Sequence, residues 1–269
     1  MPTATINDVR IQYEVAGAGP RVVYVSGTGS DLRQRPTVFE GPLGAACTVL
    51  AYDHRGLGRS EIRDEPVTMA DFADDAAALT RHVGWDRVAV VGVSFGGMVA
   101  QEIALRHPDL VDRLVLCCTS SGGPGGASYP LHELEAAGLE EDAMLRRRLA
   151  ISDTRFGEEW QASDPVGTAR CLEGMRTRAA AVPNEPGAAT GARRQLEARA
   201  SHDTWERLPE IEAPTLVCAG RYDGIAPVAN SEALAARIPR AHLRVFEGGH
   251  LFLLQDRSAW PAIVDFIAA

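Results

Sequence analysis

Apolar residues in this chain gather into short runs, separated by longer stretches in which they recur at helical spacing. Arg21–Ser26, Cys47–Tyr52, Arg87–Val91, Val111–Cys118, Pro214–Ala219 and His242–Phe246 are such runs. Near-continuous apolar segments of this length read as strands buried on both faces. Thr3–Ala16 reads as two more short strands around a turn at Asn7-Asp8. Residues 69–83 carry the clearest helical pattern, with Met69, Phe72, Ala76, Leu79 and Val83 on one face. Thr68 and Asp71 form a capping box at its start. Helical runs also cover Met98–Arg106, stopped by Pro108, then Val228–Ile238 and Ala259–Ala268.

Strands alternating with helices predict an α/β fold, a mainly parallel sheet with helices on both faces. The rhythm breaks once. Gly122-Gly123-Pro124-Gly125-Gly126 opens a stretch, ending near Leu208, that holds no strand pattern. Its Ala-, Glu- and Arg-rich helical runs are broken at Pro165, Pro183 and Pro186. The predicted organisation is a core of residues 1–121 and 209–269 with a helical lid, 122–208, inserted into it. In open α/β sheets the ligand crevice lies beyond the carboxyl ends of the strands. Chemistry is therefore sought in the loops that follow strands.

One such loop is Gly92-Val93-Ser94-Phe95-Gly96. A serine between a strand and a helix, flanked by glycines, sits on a sharp turn that exposes its hydroxyl. The pentapeptide alone is a weak signal. Its value depends on a base and an acid in matching loops. A serine hydroxyl attacks only if a base removes its proton. Of seven histidines, His82 and His107 end helical runs, His132 and His202 fall in or near the insertion, and His242 opens a strand. His54 and His250 remain, each in a loop after a strand. His250 follows Gly248-Gly249, which lets the loop fold back over the sheet edge, and it is the expected base. His54 reads as a loop histidine bonded to backbone. Asp223 directly follows a strand and is the expected orienting acid. The loop after Cys118 carries no acid, and Asp53 is the rival, with neighbours that suggest a turn. The oxyanion hole is expected from the N–H of Phe95 and of Thr28, with Gly27 or Gly29 as alternatives to Thr28.

The residues Gly92-Val93-Ser94-Phe95-Gly96-Gly97, Asp53-His54-Arg55-Gly56-Leu57-Gly58-Arg59-Ser60, Gly220-Arg221-Tyr222-Asp223 and Gly248-Gly249-His250 closely resemble the α/β-hydrolase superfamily. The likeness is to its capped bacterial esterases, enol-lactonases and cofactor-free haloperoxidase-like members. It covers most of the chain outside the lid and implies no metal and no organic cofactor. The order Ser94, Asp223, His250 is the order of nucleophile, acid and base in that fold. The chain departs from the family at the first oxyanion loop, where Ser26-Gly27 replaces the usual His-Gly. Serine at position 94 also argues against the epoxide hydrolases and haloalkane dehalogenases of the superfamily, which use aspartate there.

Composition narrows the remaining classes. With 269 residues, 45% hydrophobic and 23% charged, the chain has the make-up of a globular domain. A net charge of −9 argues against nucleic-acid and anionic-membrane partners. No apolar run approaches the ~20 residues of a membrane span, and the N-terminus lacks a signal pattern, so a cytoplasmic location is expected. Five cysteines without CxxC spacing read as reduced core thiols. Gly27-Thr28-Gly29 lacks the third glycine of a dinucleotide fingerprint, and neither a P-loop nor a His-Glu-x-x-His motif occurs. Arg146, Arg147, Arg148, Arg193 and Arg194 are expected on a solvated helix face, one of them a candidate for a substrate carboxylate. The predicted function is hydrolysis of a small to medium carboxylic ester or lactone through an acyl-enzyme. A C–C bond hydrolase or a perhydrolase would use the same triad. A hydrolase-fold protein that binds a ligand with little turnover is the alternative of another class.

Overall fold

The computed structural model describes residues 1–183 and 185–269. In chain order the elements are β1 (Thr3–Ile6), β2 (Val9–Gly17), β3 (Arg21–Val25), α1 (Pro42–Ala46), β4 (Thr48–Tyr52), α2 (Met69–His82), β5 (Val88–Val93), α3 (Phe95–Arg106) and β6 (Val111–Cys117). There follow α4 (Leu131–Ala136), α5 (Glu141–Ser152), α6 (Glu158–Ser163), α7 (Pro165–Ala180) and α8 (Ala188–Ala200). The chain closes with β7 (Thr215–Gly220), α9 (Val228–Arg237), β8 (Ala241–Phe246), α10 (Phe252–Gln255) and α11 (Ala259–Ala268). Among the described residues, no strand lies between β6 and β7. No helix there is long and apolar enough to cross a membrane.

The strands form one eight-stranded sheet in the order β1-β2-β4-β3-β5-β6-β7-β8. Pairing is antiparallel at β1·β2 and β2·β4 and parallel from β4 to β8. Strand periodicity of two sends successive side chains to opposite faces, and both faces are buried. Val23, Leu50, Val90, Leu114 and Val217 pack with Phe72, Leu79, Met98, Ile103 and Leu234 of α2, α3 and α9. Val22, Val49, Val91, Val115 and Leu216 pack on the other side with Leu43, Phe252, Ile263 and Ile267. That two-sided cover explains why the strand runs are apolar without alternation.

Helix α2 begins as its sequence predicts. Thr68 Oγ1 accepts the Asp71 N–H at 3.2 Å, and Asp71 Oδ2 accepts the Thr68 N–H at 2.8 Å. The buried stripe of α2 also contains Asp75, which pattern alone does not reveal. Asp75 receives Arg55 Nε at 2.6 Å and Asn7 Nδ2 at 3.0 Å, so its charge is fully partnered inside. The chain runs from β3 to β4 on one side, then returns to β5 on the other. A crevice opens where connections leave in opposite directions. Here it lies beyond the ends of β3 and β5, at Ser26–Gly29 and Ser94.

Candidate active site

Ser94 sits between β5 and α3 with φ 56° and ψ −115°, a left-handed conformation unusual for a side-chain-bearing residue. Its N–H donates to Cys117 O at 2.8 Å, and its own carbonyl accepts Thr119 Oγ1 at 2.8 Å. These bonds hold the turn from β6. The flanking glycines are sterically required. A Cβ on Gly92 would lie 2.3 Å from Gly96 O, and one on Gly96 would lie 2.0 Å from Val25 O. Strand and helix can thus cross closely enough to aim the hydroxyl outward.

Three of the expected residues come together. Ser94 Oγ lies 2.9 Å from His250 Nε2, and His250 Nδ1 lies 2.8 Å from Asp223 Oδ2. Asp223 is buried, and its other oxygen, Oδ1, accepts the N–H groups of Ile225 and Ala226 at 2.8 and 2.9 Å. One carboxylate oxygen therefore fixes the turn and the other faces the imidazole. A carboxylate on Nδ1 holds that nitrogen protonated and leaves Nε2 free to accept the serine proton.

The insertion between β6 and β7 braces both loops. The His250 N–H donates to Ser152 O at 2.6 Å, the Gly224 N–H to Ile151 O at 3.0 Å, and the Thr154 N–H to Tyr222 O at 2.8 Å. A Cβ on Gly249 would sit 2.2 Å from Ser152 O, so the approach of α5 to the histidine loop demands glycine. Ser152 carries no motif that would mark it in the sequence.

Thr28 and Phe95, the expected oxyanion donors, flank the serine. Thr28, Gly27, Ser94 and His250 line one cavity. Phe95 is the first residue of α3, where an N–H has no intrahelical acceptor. Among the described residues neither the Phe95 nor the Thr28 N–H has an acceptor. The Gly29 N–H, an alternative in the sequence reading, donates to Gln195 Oε1 at 2.8 Å and is engaged elsewhere.

His54 does not reach the serine. It is buried against Tyr52, Phe72 and Phe95, each ring edge-on to its own, and its Nε2 lies 3.1 Å from Ser26 O. Burial lowers its pKa from 6.5 to about 4, so the ring is neutral and Nε2–H donates. Asp53, the rival acid, accepts the Leu32 and Arg59 N–H groups at 2.7 and 3.0 Å, a turn-forming role. Burial outweighs those donors and pushes its pKa up to about 6. His107 Nε2 lies 2.8 Å from Asp74 Oδ1 at the surface of α2 and α3. His202 is buried, and burial lowers its pKa to about 4.

The cavity measures about 740 Å³. Tyr24, Leu43, Leu131, Ile151, Ile225 and Trp260 contribute to a mostly aliphatic and aromatic lining. Of the arginines expected on a solvated face, only Arg148 lines it, and Arg148 is paired with Glu135. The solvated-face reading is corrected for Arg194, whose side chain is 19% exposed and pairs with Asp64 and Glu197 at 2.9 Å each. Its guanidinium also donates to the Asp64 carbonyl on the core loop, a contact that helical spacing cannot foretell. Two other arginines, Arg178 and Arg257, line the cavity and have no ion-pair partner among the described residues.

Cys47, Cys117, Cys118 and Cys218 are buried free thiols. Cys118, with φ 42°, offers a sulfur that lies with Asp223 and His250 ligand atoms inside a 4.8 Å group. Burial raises the Cys118 thiol well above its usual range, so it lies beside the triad as a neutral thiol. The carboxylate and imidazole of that group are already bonded to each other.

A family model of the α/β-hydrolase fold matches residues 20–256. A poly(3-hydroxyalkanoate) depolymerase of Ectopseudomonas oleovorans is 30% identical over 220 residues, covering 81% of this chain and 74% of its own length. The crystal structure of a hydrolase from Pseudomonas aeruginosa PA01 superposes with a TM-score of 0.79 at 26% identity, covering 100% of this chain and 98% of that one. The enol-lactonase from Burkholderia xenovorans LB400 superposes with a TM-score of 0.78 at 26% identity over 100% of both chains. With its fold, its serine turn and these relatives, the chain belongs to the α/β-hydrolase family of hydrolytic enzymes.

Proposed function

We propose that this hydrolase cleaves a small to medium carboxylic ester or lactone through an acyl-enzyme. The unbroken contact Asp223–His250–Ser94, at 2.8 and 2.9 Å, carries the reading. Ser94 Oγ attacks the acyl carbonyl while His250 Nε2 takes its proton. Asp223 stabilises the imidazolium that results. Charge moves onto the carbonyl oxygen, which the N–H groups of Thr28 and Phe95 receive. His250 then returns the proton to the leaving alcohol, the C–O bond breaks, and the acyl group remains on Ser94. Water attacks this ester with His250 again as base and releases the acid.

Cavity size and lining support an apolar acyl chain, since pockets of roughly 300–1,000 Å³ hold small organic ligands. Residues 122–208 act in this reading as the cap over the site, supplying Leu131, Ile151 and Met175 to the cavity wall. The similarity to an enol-lactonase supports a cyclic ester as readily as an open one. Arg178 and Arg257 favour a lactone or ester that also carries a carboxylate.

The test is a series of p-nitrophenyl esters of rising chain length beside lactones with and without a carboxylate. An organophosphate should label Ser94 one-to-one. Folded protein that is neither labelled nor active on any of these substrates would overturn the reading and favour a binding protein.

A further inference from the structure

Helix α8 turns Gly191, Gln195, Ala198 and Arg199 inward. These positions recur at helical spacing and define the face of α8 that meets the core. Gln195 is wholly buried, and its Oε1 accepts the Gly29 N–H at 2.8 Å across 166 residues of sequence. Its Nε2 is also buried and has no partner among the described residues. A buried amide with one end unpaired is a poor packing residue. An apolar side chain of the same length would fill the space without a buried unpaired amide, at the loss only of the bond to Gly29. Packing therefore does not account for Gln195, and the bond to Gly29 is what distinguishes it.

That bond lands beside the proposed oxyanion donor. Gly29 directly follows Thr28 and holds φ +67°. The loop is tied at its other end by His54 Nε2, which donates to Ser26 O at 3.1 Å. Gly27 and Thr28 lie between the two ties. Helix α8 is itself fixed to the core. A Cβ on Gly191 would sit 1.6 Å from Gly56 O, so the two backbones are in direct contact. Arg193 and Arg194 both pair with Asp64, at 2.7 and 2.9 Å. The acceptor on Gln195 is thus held by a rigid support.

We infer that Gln195 is a positioning residue, which fixes the Gly29 peptide and so sets the direction of the Thr28 N–H toward the developing oxyanion. The inference rests on the proposed acyl-transfer reading. Gln195→Met removes the acceptor at equal length, and Gln195→Glu keeps an acceptor oxygen whether or not it is protonated. Each variant is assayed on p-nitrophenyl acetate for kcat and KM, and for inhibition by a trifluoromethyl ketone, whose tetrahedral adduct carries an oxyanion. Losing one oxyanion donor outright lowers kcat about 10²–10³-fold. A donor left in place but misdirected should lose less, about 10- to 100-fold, with KM within about twofold. Ketone inhibition weakens in parallel, and Gln195→Glu recovers to within about threefold of wild type. Amide exchange at Gly29 in the wild type reads the same bond without substitution, and a protected amide is expected.

Wild-type kcat in folded Gln195→Met overturns the inference. So does equal loss in the Met and Glu variants, or unprotected exchange at Gly29. A wild type that neither hydrolyses esters nor takes up organophosphate overturns the parent reading instead, and this one with it.

Discussion

Acid should weaken the fold through His54, and the size of the effect follows from where that ring lies. In the unfolded chain its imidazole titrates near the ordinary 6.5, while burial among Tyr52, Phe72 and Phe95 lowers it to about 4 in the fold. The folded value is depressed, so between pH 4 and 6.5 the unfolded state binds more protons. Stability is then complete above 6.5 and is lost as pH falls toward 4. At pH 5 the slope is about 1.2 kcal/mol per pH unit, and the loss relative to pH 8 is about 2 kcal/mol. His202 shifts the same way, whereas Asp53, raised to about 6, opposes them over part of the range. The wild-type curve alone therefore does not isolate His54. His54→Gln does, since the amide keeps a donor for Ser26 O and cannot titrate. Urea unfolding of both proteins at pH 8 and pH 5 is the assay. The wild type should lose about 2 kcal/mol more than the variant. Parallel losses, equal within about 0.5 kcal/mol, would refute a neutral buried His54.

Ser94→Ala should lower hydrolysis of an aryl ester by about four or more orders of magnitude, read as kcat against wild type. Asp223→Asn should keep the fold, because Oδ1 still accepts from Ile225 and Ala226. An NH₂ would then face His250 Nδ1, and kcat should fall about 10⁴-fold while the melting temperature moves little. Equal loss of structure and rate would contradict that division of the two oxygens. Gly96→Ala places a Cβ 2.0 Å from Val25 O and should destabilise by about 2–3 kcal/mol or more with loss of activity, measured by urea unfolding. Asp75→Ala leaves Arg55 unpaired at a half-closed site and should lower stability by about 3 kcal/mol in the same assay.

Much of the sheet is legible in the sequence because a strand buried on both faces has nowhere to place polar residues. Runs such as Val88–Val91 and Leu114–Cys117 announce themselves. The serine turn is legible because close crossing of β5 and α3 restricts two positions to glycine. His250 and Asp223 are legible as loop residues after strands, which chain order brings to one edge of the sheet. What escapes is held by contacts with no local pattern. Gln195 meets Gly29 across 166 residues, and nothing in the spacing of α8 points there. Asp75 interrupts an apolar stripe, and its partner Arg55 lies in a loop 20 residues earlier. The arginines near the cavity escape for the same reason. For Arg148 and Arg178, helical periodicity gives the face but not what that face meets, and Arg257 lies in the turn between α10 and α11.

The end of α5 and the inner face of α8 change what it means to exchange the region between β6 and β7. Ser152 and Ile151 hold the histidine and aspartate loops, and Gln195 holds the loop beside Thr28. A chimera that grafts this region from a relative would replace three supports of the proposed catalytic loops along with the pocket wall. Substrate preference and turnover would then change together. A graft confined to α4, α6 and α7 leaves those supports native, and it is the safer boundary for redesigning specificity.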